Sequence, residues 1–270
     1  SFERKLFLMI FLKEAVLNQL IKINLVRKLA QGKHTTGANG NDLEAAKSTV
    51  LTTVGGLSEQ RRQEAADELP GAQAKVEDHT LGMYQALIEA RVPFEMVHDQ
   101  LLDLDHVCQF KLLILPNIAA LSDQQCDQLR RYVEQGGSLL ATYETALYDE
   151  TGRPRADFGL ADLFGVHFKG RLPGPMKNAY LRLEKEPTTG ARHPILAGFD
   201  EAERMINGLF WLDVAPTTSE PHPPLTLIPS YPDLPMEKVY PRIAQTDIAA
   251  VFLRQLGAGR VVYLPWDIER

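Results

Sequence analysis

The residues best placed for chemistry follow the apolar run Ser138-Leu139-Leu140-Ala141-Thr142; they are Tyr143, Glu144 and Thr145. A bend behind such a strand exposes its side chains at the carboxyl edge of a parallel sheet, where open α/β sheets bind ligands and carry nucleophiles. Attack on a carbonyl from that position calls for a thiolate, and no cysteine or serine stands at the bend. A phenol with a pKa of about 10 is almost fully protonated at neutral pH. Cys108 precedes a strand pattern and Cys126 lies inside a helix pattern, so neither supplies the missing sulfur. They lack CxxC spacing and read as plain buried or half-buried thiols. Asn117, behind the neighbouring run Lys111-Leu112-Leu113-Ile114-Leu115-Pro116, completes a candidate pocket with Tyr143 and Glu144. The three could line a strand-edge site, or simply hydrogen-bond neighbouring loops. Fold position alone is an analogy and favours the second reading.

Other reaction classes find little support. His98, His106, His167, His193 and His222 are scattered singly, without HxxxH or HExxH spacing, so no metal site is expected. No cofactor motif stands out. Glycoside hydrolysis needs two carboxyl groups facing each other across a sugar. With 35 Asp and Glu in the chain, a pair by chance means nothing. Trp211 and Trp266 could stack on sugar rings, but burial in a core or interface is the simpler expectation. A formal charge of −6 and the lack of a basic, aromatic-interleaved stripe argue against a nucleic-acid partner.

The elements that must position these residues begin at about Lys75. Thr80 precedes Leu81, Tyr84, Leu87 and Ile88, one apolar stripe at helical spacing that stops before Pro93. Phe94–Val97 reads as a short strand, and Lys111–Pro116 as a strand buried on both faces, as parallel sheets require. Ser122 caps a helix carrying Cys126, Leu129, Tyr132 and Val133, which Gly136-Gly137 ends. Strand 138–142 follows. Alternation of strand and helix with short connections means right-handed βαβ units and an α/β, doubly wound, mostly parallel sheet.

Further on, Ala161–Gly165 closes a short helix, and Ala179–Leu183 alternates like a half-exposed strand. Pro221–Pro241 is proline-dense and reads as irregular or edge structure. Asp247–Leu253 and Arg260–Leu264, joined around Gly257-Ala258-Gly259, give a C-terminal β-hairpin signal.

Residues 1–74 form an N-terminal segment of uncertain affiliation, helical or irregular, with a turn-rich linker at 31–41. A possible first strand at Ser48–Val54 could complete the sheet. Leu6–Leu12, behind Arg4-Lys5, is too short to span a bilayer and lacks a small-x-small cleavage site. It reads as a buried helix or strand. The expectation is a cytoplasmic protein with no membrane partner. A start at Ser1 and an end at Asp267-Ile268-Glu269-Arg270, directly behind a strand pattern, suggest a piece of a longer protein.

Several stretches resemble one family. They are Leu112–Asn117 with Leu121-Ser122; Tyr132–Thr142; Leu160–Gly165; Tyr240-Pro241-Arg242; Thr246–Val251; and Gly259-Arg260-Val261-Val262-Tyr263-Leu264-Pro265-Trp266-Asp267-Ile268-Glu269-Arg270. From about Glu77 onward the chain resembles the β-galactosidase trimerisation-domain family, a glutamine-amidotransferase-like, flavodoxin-like module found behind the TIM-barrel catalytic domain of β-galactosidases and related glycoside hydrolases. The tail from Tyr-Pro-Arg to Asp-Ile-Glu-Arg is the most telling, since no general folding rule dictates it.

The resemblance implies a domain over 75–270 that acts as a non-catalytic, oligomerising accessory. Its partners would be further copies of itself and the barrel of a parent enzyme. The bend at Tyr143 lacks the amidotransferase nucleophile, and a His-x-Glu partner pair is missing. The Asn-Glu dipeptide of the related barrel enzymes does not occur, and a barrel of about 250 residues does not fit before Lys75. Whether the chain is itself an enzyme stays open at this point. The alternatives are a small-molecule or carbohydrate-binding module using the edge near Tyr143, and a free-standing hydrolase of unrecognised type.

Overall fold

A computed structural model describes residues 7–11, 78–98, 101–218, 222–231 and 243–270. The expected strand at 48–54, the linker at 31–41 and the Tyr240-Pro241-Arg242 stretch lie outside the described residues. All described residues belong to one compact unit.

The longest apolar runs became the inner strands of a six-stranded sheet. Its strands are β1 (Phe7–Phe11), β2 (Phe94–His98), β3 (Leu112–Leu115), β4 (Ser138–Thr142), β10 (Phe252–Leu256) and β11 (Gly259–Leu264). Their spatial order is β10-β11-β4-β3-β1-β2. Every pairing is parallel except that of β10 with β11. Interior parallel strands are covered on both faces, which is why Leu-Leu-Ile-Leu and Leu-Leu-Ala-Thr show no polar alternation. Of the two readings of the Leu6–Leu12 run, helix or strand, Phe7–Phe11 takes the strand, which corrects the helical or irregular class given to the N-terminal segment at this stretch. Phe-Leu-Met-Ile-Phe, apolar throughout, suits a strand flanked on both sides, and it pairs with β2 and β3.

Helices cover both faces of this sheet. On one lies α3 (Asp123–Glu134), after the four-residue α2 (Leu104–Val107). Its N-terminus is a full capping box: Ser122 Oγ accepts from Gln125 N at 3.1 Å, and Gln125 Oε1 accepts from Ser122 N at 2.9 Å. Cys126, Leu129, Tyr132 and Val133 pack against Leu113, Leu115, Leu139 and Ala141. Gly136 adopts a left-handed φ of 91°, and a Cβ on Gly137 would overlap the Tyr132 ring, so each glycine of the pair has its own reason.

On the other face lies α1, over residues 78–89, where Leu87 packs with Ile114 and partly buried Met83 and Leu140. Here the structure corrects the expected stripe. Leu81, Tyr84 and Ile88 face outward, at 59%, 38% and 50% exposure, and the inward side runs through His79, Met83 and Leu87. The i, i+4, i+8 spacing of that inward row is helical as well, but it begins with a histidine that hydrophobicity cannot flag.

A second layer follows the short helix α4 (Ala161–Phe164). β5 (Val166–Arg171) pairs antiparallel with β8 (Leu212–Pro216), and β6 (Tyr180–Leu183) lies between β7 (Arg204–Ile206) and β9 (Leu225–Ile228). The proline-dense region thus contributes β9, an edge strand buried along its length. Leu181, Leu225 and Leu227 close over Trp211, Trp266 and Leu264. The two indoles stack at 6.4 Å, 7° from parallel, and Trp266 Nε1 donates to Ala250 O at 2.8 Å. β10 begins at Phe252 rather than at Asp247. Residues 246–250 instead run beside β9, with Leu227 N donating to Ile248 O and Ala250 N to Leu225 O.

Candidate functional site at the carboxyl edge of the sheet

Two adjacent parallel strands end in strained bends. Behind β3, Asn117 has φ 50°; behind β4, Tyr143 has φ 46°. Non-glycine residues rarely occupy this region, so neighbouring contacts must hold them there. Asn117 N donates to Thr142 Oγ1 at 2.8 Å, and Glu144 N donates to Asn117 Oδ1 at 3.1 Å. Tyr143 N donates to Leu264 O at 2.8 Å, and the Tyr143 carbonyl accepts from Tyr263 Oη at 2.7 Å. The three residues singled out in the sequence, Asn117, Tyr143 and Glu144, therefore lie at one place, tied by their own backbone and side-chain hydrogen bonds.

Around them stand groups that sequence spacing did not reveal. The Thr142 hydroxyl donates to Glu269 Oε1. Glu269 Oε2 lies 3.2 Å from His79 Nδ1; the carboxylate is fully buried and the histidine 3% exposed. The His79 ring stacks on Tyr143 at 6.0 Å and 13°. Glu144 pairs with Arg171 at 2.5 Å, and Arg171 also donates to Tyr148 Oη at 2.8 Å. Asp267, fully buried, accepts from Phe210 N at 2.8 Å through Oδ1. His79 and Glu269 are 190 residues apart. Their only trace in the sequence is the Asp-Ile-Glu-Arg tail, which reads as a family mark and not as a site.

The electrostatics quiet this edge. Burial, reinforced by the negative charge of Glu144, pushes the Tyr143 phenol upward, and Arg171 offsets this only in part. The phenol at the bend is thus further from ionising than a free tyrosine. Burial also raises the Asp267 carboxyl, against the Phe210 N–H, His79 and Arg270.

Thr142, Glu269 and His79 have the residue types of a hydrolytic triad in the wrong order. A general base must touch the hydroxyl whose proton it takes. Here the carboxylate, not the imidazole, touches the hydroxyl, and Thr142 is fully buried, so its hydroxyl offers no open face to a substrate. The carboxylates of Glu144 and Glu269 are engaged by Arg171 and by Thr142 and His79, whereas Asp267 is held by Phe210 N through Oδ1 alone, its buried Oδ2 having no hydrogen-bond partner. Cys126 is buried in α3, its thiol raised to about 11 chiefly by burial, and Cys108 is exposed, which corrects the expectation of a buried or half-buried thiol there. Cys108 is the C-cap residue of α2, its thiol donating to Asp105 O at 3.6 Å. Among the described residues, no group of three or more His, Cys, Asp or Glu side chains could hold a metal ion. Nor is any helix among them long and apolar enough to cross a membrane.

Comparison with known proteins gives one family match. Residues 57–177 match the beta-galactosidase trimerisation domain. The resemblance carried by the residues themselves is thereby shown. The matched span starts upstream of Glu77 and stops before the Tyr-Pro-Arg and Asp-Ile-Glu-Arg stretches; its portion at 57–77 lies outside the described residues. No curated protein matches the chain.

Solved structures that carry this fold include the GH42 beta-galactosidase Gan42B from G. stearothermophilus, at 13% identity and TM-score 0.52, covering 97% of this chain and 27% of that one. A beta-galactosidase from Bacillus circulans sp. alkalophilus matches at 16% identity and TM-score 0.51, over 69% of this chain and 24% of that one. The cold-adapted beta-galactosidase from Rahnella sp. R3 matches at 14% identity and TM-score 0.51, over 98% and 29%. The chain therefore spans under a third of the length of these proteins. At such identities the likeness is one of fold.

Proposed function

We propose that this chain is a non-catalytic accessory domain of a β-galactosidase-like glycoside hydrolase, in which it promotes assembly into a homo-oligomer and packs beside a TIM-barrel catalytic domain. The reading rests on the match to the trimerisation domain. The carrying observation is the bend behind β4, which presents a neutral phenol, flanked by a threonine whose hydroxyl is held by a carboxylate. The domain is taken as residues 75–270 joined by the strand Phe7–Phe11. The sheet order, with helices on both faces, supports a doubly wound, flavodoxin-like class, and β10–β11 its C-terminal hairpin. In this reading Asn117, Tyr143 and Glu144 are the remnant of a ligand edge, with Glu144 N bonded to Asn117 Oδ1 and the Glu144 carboxylate paired with Arg171, and the protein works in the cytoplasm.

Light scattering on the full chain tests the assembly claim. A mass at an integer multiple of the chain's own, constant over a wide concentration range, is expected, since closed symmetric assemblies are the rule for soluble oligomers. A strict monomer at high concentration would remove oligomerisation from the account.

A further inference from the structure

The sheet of β6, β7 and β9 gathers positive charge at one spot. Arg182 of β6 lies directly opposite Arg204 of β7, and like charges in that register destabilise a sheet unless something compensates them. Just beyond β6, Lys185 pairs across an antiparallel bridge with Arg192. These four cationic side chains, with Leu183, Glu184 and Glu203, line a concavity of about 340 Å³. The excess is cationic, in a chain whose formal charge is −6.

The two carboxylates of the lining do not resolve the excess. Glu184 Oε1 accepts from Thr226 Oγ1 at 2.8 Å and lies 3.3 Å from Arg182 Nε, so it is already engaged. Glu203 is exposed. Among the described residues no carboxylate lies within ion-pair distance of Lys185, Arg192 or Arg204. Arg192 is the sharpest case. Its Nε and Nη1 are both buried and neither has a hydrogen-bond partner; they are two of the five such side-chain atoms among the described residues. A guanidinium keeps its charge in any protein, and buried donors left unpaired are costly. An arginine held this way at the wall of a cationic hollow is a site waiting for an acceptor.

We propose that this hollow binds a small dianionic oxyanion of the phosphate or sulfate class, with Arg192 as the buried donor and Arg182 and Arg204 closing on it from paired strands. A dianion matches the two charges left over once the lining's carboxylates are counted against its cations. Arginine is also the side chain best suited to several oxygens of one group. The site lies in the β6–β7–β9 sheet and does not depend on the accessory reading.

The test is calorimetric titration of the full chain with inorganic phosphate at low ionic strength, with chloride at matched ionic strength as control. Saturable, one-to-one heat is expected with phosphate and none with chloride. Arg192→Met should abolish it. Arg204→Gln should weaken it by about tenfold, the size of one charge-assisted hydrogen bond, and Glu203→Gln should tighten it. Both of the latter positions are exposed, so these variants decide the matter even if Arg192→Met does not fold. Non-saturating phosphate heat would overturn the proposal. So would saturation unchanged by both Arg204→Gln and Glu203→Gln.

Discussion

Replacing Glu269 by alanine would remove a fully buried carboxylate that links two otherwise distant parts of the unit, the helix start at His79 and the end of β4 at Thr142. Removing one partner of a buried pair typically costs about 3–5 kcal/mol, because the other is left desolvated and unpaired. His79→Ala should cost a similar amount, since it leaves the carboxylate with Thr142 alone. If the two act as a unit, the double variant should be more stable than the sum of the single effects predicts, by about 1–3 kcal/mol. Glu269→Gln keeps an acceptor for Thr142 and should lose about 1–2 kcal/mol, less than the truncation.

Urea unfolding followed by tryptophan fluorescence is the natural assay. The chain's two tryptophans, Trp211 and Trp266, are each 2% exposed and stacked in one core, so their emission reports loss of the tertiary fold. Single variants within about 0.5 kcal/mol of the parent, or losses that add to within that amount, would refute the view that this network ties the helix to the sheet edge.

Three further outcomes follow from the same geometry. Gly82→Ala should destabilise by about 2 kcal/mol or more in the same melts, because the new methyl would overlap the Glu269 carbonyl oxygen, a backbone atom that cannot step aside; a neutral effect would mean that α1 does not approach the tail so closely. A thiol reagent should modify Cys108 promptly and Cys126 only on unfolding, since the first is exposed and the second is buried with its pKa raised to about 11; two fast thiols would contradict the packing of α3. For Asp267, a folded pKa raised above the ordinary 3.8 means that the folded protein holds the proton more tightly than the unfolded chain. Its contribution is then most favourable below that ordinary value and is lost as pH rises through the folded value, so Asp267→Asn should gain on the parent as pH rises from below the ordinary value through the raised one. A pH-independent difference between the two would be the contrary result.

The parts of this fold that are legible in the sequence are those governed by local rules. Leu112–Leu115 and Ser138–Thr142 are continuous apolar runs, and the Ser122–Gln125 cap with Gly136-Gly137 marks both ends of α3. The bend carrying Tyr143 is readable because a strand's end dictates where its next residue points. The remainder depends on partners far along the chain. Nothing near Phe7–Phe11 indicates that it pairs with β2 and β3, across a gap of some eighty residues or more. The outward turn of Leu81, Tyr84 and Ile88 follows from a histidine and a glycine meeting Glu269, a contact made only once the chain has closed. Ile248 and Ala250 bond to β9 and not within β10, so a β-prone run there does not fix the strand's start.

The claim at the centre is that this edge of the sheet performs no chemistry. It is tested most directly by incubating the full chain at high concentration with a chromogenic β-galactoside and with glutamine, and following product release. The account predicts rates indistinguishable from buffer for both. Sustained release proportional to protein, and lost in Tyr143→Phe or Glu269→Gln, would contradict it.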